Sequence, residues 1–199
     1  MRRICSPECL WQPVDRCAGY TLLEILFALT VLCILTSISV PNMLASVDRS
    51  RGAGAARYLA SRMALARARA VGRSTMVALR FEEGPRGTLF SVVEDGNGDG
   101  VRTRDIDQRI DRVIEAPVLL ADLFPGAAIG LAPGTPATDA VVLGGTTILS
   151  FSPNGTATSG SIYVVGRDHS QWVVRVLGVT ARARVLRYER ATSGWISAD

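Results

Sequence analysis

The chain has 199 residues, 48% of them hydrophobic, and a formal net charge of +4. That length holds one ordinary domain plus an appendage, and so modest a charge excludes a dedicated nucleic-acid-binding composition. All 22 basic residues are arginine, so every cation is a planar fork suited to carboxylate or phosphate.

Residues 1–19 are polar and basic, with Arg2, Arg3 and Arg16, and are broken by Pro7 and Pro13. They lack the hydrophobic centre of an ordinary secretory signal. Cys5, Cys9 and Cys17 lie here, Cys33 follows, and the rest of the chain has no cysteine to form a disulfide. The three early cysteines lack a fourth zinc ligand nearby, because the only histidine is His169. Asp15 and Arg16 put charges before Cys17 where a lipoprotein signal is small and apolar.

From Tyr20 to Val40 the chain is apolar except for Glu24 and a few hydroxyls. As a helix this stretch rises about 31 Å, the thickness of a bilayer core. The arginines before it orient the N-terminus to the cytoplasm and everything after Pro41 to the outer side of the membrane. Pro41 removes one backbone hydrogen bond and predicts a kink. The helix then continues as an amphipathic half with Tyr58, Leu59, Met63, Leu65, Ala66 and Ala70 on one stripe. Gly52 and Gly54 weaken it, and Gly72 marks its end.

Beyond Gly72 the period shortens to strands: Thr75 to Phe81, Thr88 to Val93, Arg109 to Ile114, Thr147 to Phe151, Ser161 to Val165, Gln171 to Leu177 and Arg182 to Tyr188. Gly, Pro and Asn clusters separate them, and Gly126 to Gly145 reads as a loop or weak edge strand. The expected product is an α+β fold, a small antiparallel β domain on the amphipathic half of one long helix.

Gly19-Tyr20-Thr21-Leu22-Leu23-Glu24 ahead of an apolar helix resembles the type IV prepilin class III signal. In that family a membrane aspartyl peptidase cuts after the glycine and methylates the new amine. The resemblance implies that Gly19 is the processing residue, Tyr20 the N-methylated terminus and Glu24 the acid that sets subunit register. A carboxylate in an apolar helix bundle needs a partner, and the amine of Tyr20 on a neighbouring subunit supplies one. Tyr20 departs from the family's commoner Phe or Met. The later stretch FSPNGTATSGSIYVVGRDHSQWVVRVLGVTARARVLRY resembles the closing strands of the GspH/FimT class of minor pseudopilins.

The resemblance divides the chain into a removed leader at 1–19, a transmembrane half-helix at 20–41, an amphipathic half at 42–73 and a periplasmic β domain at 74–199. It implies a pilin-like fold, anchorage in the inner membrane, and other pseudopilins and the prepilin peptidase as partners. The preferred function is a structural minor pseudopilin of type II secretion. The rival within the family is a FimT-like minor pilin that binds DNA. A single-span binding protein with no filament role leaves Gly19 and Glu24 unexplained.

Three constellations remain. Asp95-Gly96-Asn97-Gly98-Asp99-Gly100 looks like the opening of a calcium loop, with Asp95, Asn97 and Asp99 as ligands, but its twelfth position is Ile106 instead of Glu. A plain acidic turn is preferred, and no cofactor is required. Arg182, Arg184 and Arg187 gather cations on a late strand, with Arg182 and Arg184 on one face. They resemble the Gly-Arg-x-Arg signature of DNA-binding relatives, but Ala181 replaces the Gly, so pairing with carboxylates of other subunits is preferred. Asp168-His169-Ser170 holds the letters of a hydrolase triad, yet adjacent residues do not converge as a triad must, and no enzyme is expected. Trp172 and Trp195 read as core and surface anchors.

Overall fold

A computed structural model describes residues 20–198, without the side chains of Ile38, Pro41 and Asn42. The expected leader and Gly19 lie outside the described residues. The chain falls into two units, Met1–Asn42 and Met43–Asp199.

In the first unit, α1 (Leu22–Arg73) begins directly after Thr21. The Thr21 hydroxyl accepts the backbone N–H of Glu24 at 3.2 Å. Thr21-Leu22-Leu23-Glu24 therefore follows the capping-box pattern, which places an acid in the helix's electropositive first turn. Thr30, Thr36 and Ser37 donate to carbonyls of Phe27, Leu32 and Ile34. These hydroxyls are thus satisfied within the helix, while Leu22, Leu23, Leu26 and Phe27 are exposed. Among the described residues no helix is long and apolar enough to cross a membrane. The expected span, Tyr20 to Val40, is helical from Leu22 but contains Ile38, whose side chain is outside the described set. Pro41 does not end the helix, which runs on to Arg73, one residue past Gly72.

In the second unit the helix buries Ala53, Ala56, Leu59, Met63, Ala66 and Ala70, spaced three or four apart. Tyr58 packs half-buried beside them. Leu65, expected on this stripe, is 38% exposed. Six residues after Leu59, it points about 120° away around the helix. Gly52 and Gly54 do more than weaken the helix. A Cβ on Gly52 would lie 3.0 Å from Trp172, and one on Gly54 3.0 Å from Phe124, so both glycines allow a ring to approach the backbone.

The remaining elements are β1 (Val77–Gly84), β2 (Gly87–Glu94), α2 (Thr103–Asp107), β3 (Arg112–Leu119), α3 (Leu120–Leu123), β4 (Ala128–Ile129), β5 (Val141–Val142), β6 (Ile148–Phe151), β7 (Gly160–Val165), β8 (Gln171–Leu177), β9 (Arg182–Glu189) and β10 (Gly194–Ser197). They build two antiparallel sheets, ordered β3-β2-β1-β6 and β10-β9-β8-β7-β4, with β5 also paired to β7. One face of each sheet meets the helix stripe in a shared core: Leu79, Phe81, Phe90 and Phe151 from the first, Ile162, Val164, Val174 and Val176 from the second.

The strand expected over Arg109 to Ile114 begins instead at Arg112. Arg109 adopts φ +60° and the N–H of Ile110 returns to the carbonyl of Asp105, so these residues close the turn after α2. β3 forms an edge of its sheet, where Pro117 costs no ladder bond.

Candidate functional site

At the N-terminal end, Tyr20 is 79% exposed and Glu24 lies exposed in the first turn of α1. The Glu24 carboxylate has no ion-pair partner among the described residues. Its sequence position supplies a local role that the family resemblance did not, as the fourth residue of the capping pattern and the third of the helix.

The acidic turn is organised around two buried aspartates. Asp95 accepts the N–H groups of Asn97 at 3.1 Å, Gly98 at 2.7 Å and Gly100 at 2.9 Å. Asp111 accepts those of Gly96 at 3.1 Å and Arg102 at 3.0 Å. The Asn97 side chain accepts the N–H of Asp99, and Asp99 pairs with Arg102 at 2.9 Å. These groups therefore satisfy backbone donors that a tight turn would otherwise orphan.

Among the described residues, no three or more His, Cys, Asp or Glu side chains are arranged to hold a metal ion. Ile106, at the position where a calcium loop needs Glu, is buried with Val101 against Ala78 and Val93 on the outer face of the first sheet. The turn is thus a cover for that face. Nothing in the sequence singles out Asp111. Its signal is only an acid beyond the Asp/Asn/Gly cluster, with no motif to connect the two.

The late arginines do not act as one set. Arg182 and Arg184 share a face of β9, whereas Arg187 is on the opposite face and lies 4.0 Å from Glu189. Residue pairing in the sheet brings a different third cation, Arg175, directly opposite Arg184, and sets Arg182 opposite Leu177. Arg175, Arg182 and Arg184 are all exposed. With Val142, Ser161, Leu177 and Leu186 they line a concavity of about 570 Å³.

Asp168, His169 and Ser170 form the turn between β7 and β8, with His169 at φ +57°. The Ser170 hydroxyl donates to Asp168 at 2.6 Å, so the three do not relay a proton through the imidazole. Trp172 is buried in the core and Trp195 packs on Tyr163 and Tyr188.

Residues 55–180 match the family model of the type II transport protein GspH, and residues 15–40 match the prokaryotic N-terminal methylation motif. Among solved structures, the chain is similar to the minor pseudopilin EpsH from the type 2 secretion system of Vibrio cholerae. The identity is 14%, over 66% of this chain and 93% of that one, with a TM-score of 0.43. No curated protein matches the chain.

Proposed function

The chain belongs to the GspH family of type II transport proteins, and on that premise we propose that it is a structural minor pseudopilin of a type II secretion pseudopilus. The observation that carries the reading is the order of the two matches: a methylation motif over 15–40 directly precedes the GspH region that starts at residue 55. In this reading a membrane peptidase removes residues 1–19 and methylates the amine of Tyr20. The helix from Leu22 holds the chain in the inner membrane with residues 43–199 in the periplasm. Other pseudopilins then draw it into a filament.

Glu24 has two tasks in this scheme. Its backbone N–H donates to the Thr21 hydroxyl in the first turn of α1, and its charge pairs with the N-terminal amine of a neighbouring subunit. An acid among apolar side chains is costly unless paired, so a subunit in the wrong register leaves that charge without compensation. The β domain has a supporting role that calls for surfaces and no catalytic group.

Deletion of the gene tests the reading. The expected result is loss of extracellular enzymes that depend on type II secretion, with their folded forms retained in the periplasm, and recovery by the intact chain. Normal secretion with loss of surface pili or DNA uptake would contradict it and favour the type IV pilus.

A further inference from the structure

The exposed face of β8 and β9 carries three cations that no acid among the described residues compensates. Arg175 and Arg184 are directly opposite each other across the two strands, and Arg182 follows on the same face. Several other arginines of this unit have acids in reach, as in Arg49 with Asp168, Arg80 with Glu82 and Arg187 with Glu189. What sets Arg175, Arg182 and Arg184 apart is that they share one exposed face on which no described residue is an acid. Among the described residues no carboxylate lies within 4.0 Å of Arg175, Arg182 or Arg184. Like charges placed opposite one another oppose strand pairing, so this arrangement works against the fold unless an outside anion offsets it. Around the cations the surface is apolar, with Leu177 59% and Val142 43% exposed.

We propose that this face docks an extended segment of a partner protein that carries carboxylates on alternate residues, with apolar side chains against Leu177 and Val142. The spacing supports that form. Arg182 and Arg184 are two residues apart on a strand, about 6.6 Å, which is also the repeat of alternate side chains on an extended peptide. Arg175 is one strand away, about 4.8 Å, so a carboxylate facing Arg184 meets two guanidinium forks.

The occupant is not a second copy of this chain. Its only acids two residues apart among the described residues are Asp105 and Asp107, and Asp105 is 1% exposed. Nucleic acid is the poorer fit. Three cations bordered by aliphatic side chains give few phosphate contacts, and the rings on this face, Tyr163, Tyr188 and Trp195, pack against one another at tilted angles instead of presenting parallel stacking platforms. The inference rests on the proposed assembly role only for the supposition that the partner is another component of the same machine.

The test uses the full chain in detergent and fluorescent peptides of alternating Glu and Val, with alternating Gln and Val as the uncharged control and a single-stranded oligodeoxynucleotide as the phosphate probe. The acidic peptide is expected to bind and the Gln peptide to fail. Arg182→Ala and Arg184→Ala are each expected to weaken binding about tenfold, the scale of one charge-assisted contact. Arg184→Ala should melt no lower than the wild type, because it removes a like-charge pair, and this readout separates lost docking from lost folding. Equal binding of both peptides would overturn the proposal, as would no effect of the arginine variants. Tighter, arginine-dependent binding of the oligonucleotide would also overturn it in favour of nucleic acid, and a dimer lost in the variants in favour of self-association. Processing at Tyr20 is measured separately, so an unprocessed chain that still binds the acidic peptide refutes the filament role and leaves the docking face standing.

Discussion

Leu59 and Leu65 are on the same helix and differ only in which way they point, so truncating each measures how far α1 belongs to the core of the second unit. Leu59 is 0% exposed and Leu65 38%. Leu59→Ala removes buried methyl groups between the two sheets and leaves a cavity, for a loss of about 3 kcal/mol. At this size a loss of 1 kcal/mol lowers the melting temperature by about 2–4 °C, so a fall of about 6–12 °C is expected. Leu65→Ala removes little buried surface and introduces a better helix former, so its effect stays within about 0.5 kcal/mol. Thermal melts of residues 43–199, followed by circular dichroism, provide the comparison. If the two variants melted together, the assignment of the buried stripe would be wrong.

Gly96→Ala sets a Cβ 2.0 Å from the carbonyl oxygen of Ile110, which is backbone and has little room to yield. It should destabilise the acidic turn by about 1–3 kcal/mol, seen as a lower melting temperature and faster amide exchange at Gly98 and Gly100. A chain beginning at Thr75 loses Leu59, Met63 and Ala66 from the shared core. It should show no cooperative thermal transition, and a sharp one would relocate the core to the sheets alone. Glu24→Gln keeps a residue able to complete the capping box, while Glu24→Ala does not. Both variants should lose cross-linking to neighbouring pseudopilins in cells while remaining processed, and wild-type cross-linking in Glu24→Gln would reduce Glu24 to a helix cap.

Much of the fold is legible in the sequence because the strands are short runs rich in Val, Ile and aromatic residues, bounded by Gly, Pro and Asn turns. The expected Gln171 to Leu177 is β8 itself, and the starts of β7 and β9 fall within one residue of expectation. Legibility falls where tertiary context decides. Arg109 and Ile110 read as the beginning of a strand, but their backbone completes a turn anchored by Asp105. β10 is four residues long and finds its place through Trp195 opposite Tyr188, a pairing that no local period reveals. Leu65 reads as part of the stripe by its hydrophobicity, although its angle around the helix puts it outside. For the sites, the two-residue period groups Arg182 with Arg184 and already separates them from Arg187. Arg175 joins them only through the register between β8 and β9, which depends on the long-range pairing of the sheet. Asp111 likewise gains its role only when folding brings it to the N–H of Gly96.

The central claim is that this chain is a processed filament subunit, and the mass of its N-terminal peptide after extraction from membranes tests that most directly. The account predicts a chain that starts at Tyr20 with one methyl group on its amine. A chain that retains residues 1–19 in cells with an active prepilin peptidase would contradict it.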